Sequence, residues 1–296
     1  MSINPILKRE ITVQSRGVGL PLMVSGINLL LFLAALVGTF GSITRMKLGM
    51  ESDYGVFLVI YAMVALLVFI LLLFVTPAMT AGSISMERSM QTLDLILTTQ
   101  LSPLRIIIGK LCASAWALCI VLISSIPAML LPLLYGGISV PEVAAMLFAF
   151  AAEALVLLSI GMYASSLSDH TARATATAYA LVFALCIGIP VLNMLFSPFV
   201  TTGHNYSAYL LLLDPLACIG SLIAQQTGRE ALLINIFSRL SLEPESAFIR
   251  YFVPLSLAVQ FTMSFFLLLL TVVHITPKHR RERDKKKAEK AKIFPL

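Results

Sequence analysis

The sequence predicts an all-α membrane protein with six transmembrane helices, an N-terminal interfacial helix, a short cytoplasmic helix after span two, and re-entrant or surface helices between spans five and six. Three observations lead there. Of the 296 residues, 58% are hydrophobic and 12% charged, with a mean hydropathy of +0.93, whereas a soluble domain carries about one-quarter charged residues and cannot bury so much apolar surface. Six apolar stretches are long enough to cross a hydrocarbon core of about 30 Å, which takes about 20 helical residues. The basic residues also divide unevenly between the two sides those stretches define.

Residues 1–19 are the first unit. Asn4-Pro5 is a cap followed by a first-turn proline. The helix it opens carries Lys8, Arg9, Thr12, Ser15 and Arg16 on one face and spreads Ile3, Ile6, Leu7, Ile11 and Val13 over the other. Such a helix lies in the inner interface with its basic side among lipid headgroups. Glu10 projects within the apolar arc, so it is either left snorkelling or disordered, or makes a specific contact to a cytoplasmic loop or partner. The start of the chain has no apolar core before Gly19 and no small-residue cleavage site after it, so a cleaved signal peptide is not expected.

Residues 20–275 hold the spans, read as Leu20–Ile43, Val56–Val75, Ile106–Tyr135, Val143–Ser165, Ala174–Phe196 and Phe252–Ile275. Unpaired amides in lipid cost several kcal/mol each, so these backbones must be helical. Ser139-Val140-Pro141-Glu142 supplies an N-cap serine, an early proline and a capping-box glutamate, and Ser102-Pro103 and Asp214-Pro215 repeat the cap-then-proline device. Pro127, Pro132 and Pro190 fall inside spans, where proline bends a helix or is simply tolerated. With the N-terminus inside, sixteen Lys and Arg lie on the cytoplasmic side and five outside, which also puts the C-terminus inside.

Between spans two and three, Met86, Met90, Leu93 and Leu97 recur at helical spacing while Glu87, Gln91 and Asp94 share another face. This reads as a short amphipathic helix joined to two membrane helices. It is either a lever through which force reaches the bundle or a cover over the bundle's inner ends.

Glu153 is the one ionisable residue deep in a span, eleven residues after Glu142 and so near mid-membrane at about 1.5 Å per residue. A carboxylate there faces the bundle interior, lining a pathway, marking an ion-coupling site or making a structural hydrogen bond. The outer segment 197–251 contains Tyr209–Leu213, Pro215–Ile223 and Ala231–Leu240, each too short to cross. Cys112, Cys119, Cys186 and Cys218 have no metal-type spacing and read as small buried hydrophobes. Residues 276–296 form a basic cytoplasmic tail holding nine Lys and Arg. It suits anionic lipid or plain solubilisation, and no fold here would position a nucleic acid.

The stretch Pro77–Lys110 resembles the first cytoplasmic loop of ABC-2 type transporter permeases. The shared features are the acidic-basic pair Glu87-Arg88, the run Thr92-Leu93-Asp94-Leu95-Ile96-Leu97-Thr98-Thr99, Ser102-Pro103 and Gly109-Lys110. The segment from Asn4 to Glu10 is similar to that family's opening interfacial helix, and Ser165–Asp169 to its second inner loop. Ser89-Met90 departs from the acidic residue and glycine often found there. The resemblance implies a six-helix half-transporter of the cell membrane that pairs with a second permease subunit, as homo- or heterodimer. Its inner helix would sit on a cytoplasmic ABC ATPase that binds ATP and Mg, with Glu87, Arg88, Gln91 and Asp94 at or near that contact. Export is the implied direction, and family substrates range over drugs, peptides, glycolipid or polysaccharide precursors and ions.

The chain itself lacks a G-x-x-x-x-G-K-[ST] phosphate loop and an H-E-x-x-H motif, and His170, His204, His274 and His279 are scattered. It is therefore expected to bind no cofactor or metal and to catalyse nothing itself. Two other readings stay open: an autonomous ion-coupled carrier or channel using Glu153, and a non-transporting assembly or sensory subunit that grips a partner through the outer segment.

Overall fold

Apolar stretches that must pair every amide internally become helices. The computed structural model describes residues 5–47, 55–93, 102–135, 138–196, 206–228 and 251–276, and every regular element among them is helical. These are α1 (Pro5–Arg16), α2 (Gly19–Lys47), α3 (Gly55–Thr80), α4 (Gly82–Ser89), α5 (Pro103–Leu130), α6 (Val140–Leu167), α7 (Thr171–Phe183), α8 (Ile189–Phe196), α9 (Pro215–Gln226) and α10 (Phe252–Ile275). Six stretches are long and apolar enough to cross a membrane, in the order the sequence predicts, with a π-helical segment, Ala184–Gly188, joining α7 to α8 within the fifth.

α6 is the centre. It packs against α3, α4, α5, α7, α9 and α10, and 67% of its most apolar window is buried, against 17% for α2. The outer helices show large apolar side chains to the surroundings, including Phe32, Val37 and Phe40 on α2, Met194 and Phe196 on α8, and Phe265 and Phe266 on α10. That much apolar surface is stable against lipid or another subunit, not against water.

Capping chemistry sets the helix starts. The Ser139 N–H donates to Glu142 Oε2 at 2.7 Å, the reciprocal half of a capping box. Asp214 Oδ1 accepts from the Leu216 N–H at 2.9 Å at the start of α9. Ser102 has the extended backbone of an N-cap before Pro103, yet its hydroxyl makes no cap bond. Pro132 does not bend the third span: the α-helix ends at Leu130 and a 3-10 turn, Pro132–Tyr135, follows. Pro190 stands at the second position of α8, just after the π-helical segment. Its missing N–H removes one helical bond, and a π-bulge accommodates such an interruption.

The described part of the segment between spans five and six, residues 206–228, packs into the bundle. A 3-10 helix, Tyr206–Leu213, runs to Asp214, and α9 leads away from it. The turn is held beside α10, where Ser256 Oγ donates to the Leu212 carbonyl at 2.9 Å. At the far end of α9, the Gln226 amide donates to the Glu142 carbonyl at 2.8 Å and accepts from Tyr61 Oη at 2.8 Å. Thus α9 spans from the mouth of α6 down toward Glu153. The short helix expected over Ala231–Leu240 falls outside the described residues, as does the basic tail expected beyond 276.

Glu153 is fully buried inside this one chain. With the Gln260 amide oriented by its hydrogen-bond pattern, its Nε2 donates to both carboxyl oxygens at 2.8 and 2.7 Å and its Oε1 stands 2.9 Å from Ser256 Oγ. The Cys218 thiol of α9 bonds the same carboxyl group. Of the four cysteines, Cys186 and Cys218 are buried as expected, but Cys112 and Cys119 are exposed. Both lie within the third span, where a small apolar side chain needs no protein cover against lipid.

Candidate coupling site

The cluster richest in charge-assisted contacts surrounds α4, Gly82 to Ser89. This helix is less separate than its sequence suggests. Ala81 keeps helical dihedrals (φ −62°, ψ −27°) between α3 and α4, and its N–H donates to the Pro77 carbonyl at 2.9 Å. Displacement of α4 is therefore displacement of the end of α3.

The expected continuous helix from Met86 to Leu97 does not form. α4 stops at Ser89: the Thr92 N–H reaches back to the Glu87 carbonyl at 2.9 Å and the Gln91 N–H to the Arg88 carbonyl at 3.1 Å. This is the Schellman pattern, and it requires a left-handed residue at its hinge, here Gln91 with φ 57°. Glycine is usual there, so the stop was invisible in the sequence. Leu93 is consequently not on the outward face with Met86 and Met90 but buried with Ile84, Ile107, Met162 and Ile275.

Three devices fix α4 to the bundle. The N–H groups of Ile84 and Ser85 both donate to Ser165 Oγ of α6, at 2.9 and 3.0 Å, supplying an acceptor to amides of the first turn. On one flank Lys110 of α5, 4% exposed, places Nζ 2.8 Å from Glu87 Oε1, 3.2 Å from Glu10 Oε1 and 2.9 Å from the Ser83 carbonyl. The ammonium donates hydrogen bonds to Glu10 Oε1 and the Ser83 carbonyl and forms an ion pair with Glu87. On the other flank Arg88 Nη1 lies 3.0 Å from the Ser166 carbonyl, 3.2 Å from the Ser168 carbonyl and 3.4 Å from Asp169 Oδ1.

The residues expected to contact a partner therefore separate. Glu87 and Arg88 turn inward. Gln91 is exposed at the tip with Ser89, Met86 and Met90, and Asp94 lies outside the described residues. On α1, Lys8 and Arg9 are exposed. Glu10, the acidic residue in the apolar arc, makes the specific contact, through Lys110. Val13 is not covered with the apolar arc but 63% exposed, because α5 packs on the side of α1 that carries Glu10.

Sequence reasoning missed Lys110, Ser165, Ser166 and Ser168. For Lys110 a signal existed, since an ammonium well inside an apolar span needs a carboxylate partner. For Ser165 none did, because a serine near a helix end gives no hint that it caps a different helix. Ser165→Ala is expected to lower stability by about 1 kcal/mol, the usual cost of a lost helix cap, seen as a lower melting temperature in detergent and faster proteolysis after Arg88. An unchanged melt and cleavage rate would remove the capping role.

A family model described as ABC-2 family transporter protein matches residues 20–276. No curated protein matches the chain.

Proposed function

The chain belongs to the ABC-2 family of transporter proteins, and from that premise we propose that it is the membrane-spanning permease subunit of an ABC exporter, driven by ATP that a separate subunit hydrolyses with Mg. The observation that carries the reading is α4. It is capped by α6, ion-paired to Lys110 of α5, which in turn pairs with Glu10 of α1, and continuous with α3, yet it presents Met86, Met90 and Gln91 outward. An exposed apolar tip on a rigidly held helix is what a motor subunit needs to grip.

In this reading the protein spans the cell membrane with the α4 end of the bundle and both termini on the cytoplasmic side, and a second permease subunit completes the pathway. Met86, Met90 and Gln91 make the ATPase contact, and the family resemblance assigns Asp94 to the same contact. Glu87 and Arg88 act one step back, passing displacement of the tip to α1 and α5 on one flank and to the α6–α7 turn on the other.

The test is Met90→Asp. A central contact replaced by a charge should cost about 2 kcal/mol of binding, or more than tenfold in affinity, while the isolated permease keeps its melting temperature because Met90 is 61% exposed. ATPase subunit that co-purifies equally with the parent chain and the Met90→Asp chain would contradict the assignment.

A further inference from the structure

A cavity of about 520 Å3 lies between α1, α4 and α5, within the range of small-molecule sites, about 300–1,000 Å3. Its lining brings together Arg9, Gln14, Met86, Glu87, Lys110 and Ser114. The Lys110 ammonium is already engaged by Glu87 Oε1, Glu10 Oε1 and the Ser83 carbonyl. Two residues of the lining also carry an acceptor that is buried and without a hydrogen-bond partner, Glu87 Oε2 and Gln14 Oε1. Buried acceptors in this state are costly unless a ligand or water supplies N–H or O–H groups. At the rim Arg9 is exposed and has no ion pair among the described residues, a guanidinium suited to a phosphate.

We propose that this cavity binds the headgroup of an aminophospholipid, its primary ammonium donating to Glu87 Oε2 and Gln14 Oε1 and its phosphate diester pairing with Arg9. Two unfilled acceptors and one unpaired guanidinium match a zwitterion carrying both an N–H donor cluster and an anion. The depth agrees. Ser114 lies eleven residues into α5 from Pro103, which is about 16 Å at about 1.5 Å per residue, so the cavity reaches below the level where an interfacial helix rests. Exposed Val13 on the α1 side of the lining is apolar, as the first methylenes of an acyl chain require. A lysine or arginine from a docked protein would satisfy the two acceptors but bring no anion to Arg9. The proposal takes from the functional reading only that this end of the bundle faces the inner leaflet.

The experiment uses the purified full chain without any ATPase, in nanodiscs of equimolar phosphatidylethanolamine and phosphatidylcholine with matched acyl chains. Native mass spectrometry then reads which lipid stays bound. The two headgroups share charge and phosphate, but the trimethylammonium of choline has no N–H, so ethanolamine lipid should be retained about tenfold over choline lipid, the worth of a charge-assisted hydrogen bond. Gln14→Leu and Arg9→Gln, which leave the Lys110 cluster untouched, should each bring the ratio toward one at an unchanged melting temperature. Equal retention of both lipids, a preference that survives both substitutions, or soluble phosphoethanolamine binding as tightly as the lipid would overturn the proposal. So would a carbodiimide cross-link, formed in the presence of the ATPase, joining Glu87 to a lysine of that subunit. A chain that retains ethanolamine lipid but binds no ATPase keeps this site while removing the transporter reading, so the two fail separately.

Discussion

Lys110→Met is expected to lower the stability of the chain by about 3 kcal/mol, the lower end for stripping one partner from a buried ion pair, and, under the coupling proposed above, to abolish transport while a partner ATPase still turns over ATP. The single ammonium serves two carboxylates and a carbonyl. Its removal leaves Glu87, with a side chain 14% exposed, and Glu10, 26% exposed, facing each other without a counter-charge. The partial exposure lets water in, so the upper end of that range is not reached. Lys110→Arg should not rescue, because a planar guanidinium cannot direct three donors at acceptors placed around a tetrahedral ammonium. Lys110→Met with Glu87→Met should recover most of the melting temperature, since two apolar side chains of similar length refill the site and the remaining Glu10 can hydrate. Transport should stay low in the double variant, because α1 is no longer tied to α4. Thermal melts in detergent and transport with the ATPase subunit check both halves. A single Lys110→Met variant with normal melting and transport would show that the cluster holds nothing.

What the sequence disclosed follows the range of the forces involved. The spans were legible because burying about 20 apolar residues in lipid dominates every local preference, and the Ser139 and Asp214 caps because both partners lie within a few residues. The α4 site was legible only as an oddity: Glu10 stood in an apolar arc and Lys110 inside an apolar span, and each explains the other. Nothing local told that they meet, since one hundred residues separate them. The same distance problem hid the inward turn of Glu87 and Arg88, whose partners stand on α5 and on the α6–α7 turn. Periodicity alone counted them with Gln91 as one contacting face. The stop at Met90 was hidden for a different reason, because it rests on a glutamine in left-handed backbone, a conformation that composition points to only when glycine or asparagine fills it.

Gly161→Val is expected to separate α3 from α6 and to disable α4 with them. Gly161 is buried in α6 against the last turn of α3. A Cβ there would collide with the Thr80 hydroxyl and lie 2.9 Å from Thr80 Cβ, while the Pro77 Cα at 3.6 Å would be an ordinary contact. Thr80 has little room to turn away: it is wholly buried, and its hydroxyl donates to the Thr76 carbonyl at 2.9 Å. Close helix contacts in membranes depend on such small residues, and overpacking a fixed site costs about 1–3 kcal/mol. The consequence for coupling exceeds that figure. Thr80 is followed by Ala81 and then α4, and Ser165, which caps α4, stands one turn beyond Gly161 on the same helix. Any gap opened at Gly161 therefore pulls the cap from the amides of Ile84 and Ser85. The expected outcome is a lowered melting temperature together with loss of ATPase capture. Gly161→Ala combined with Thr80→Gly should restore both, since deleting the Thr80 side chain removes the two atoms a new Cβ would strike, whereas Gly161→Ala with Thr80→Ser should not. Restoration by serine as readily as by glycine would mean that the clash is not the cause.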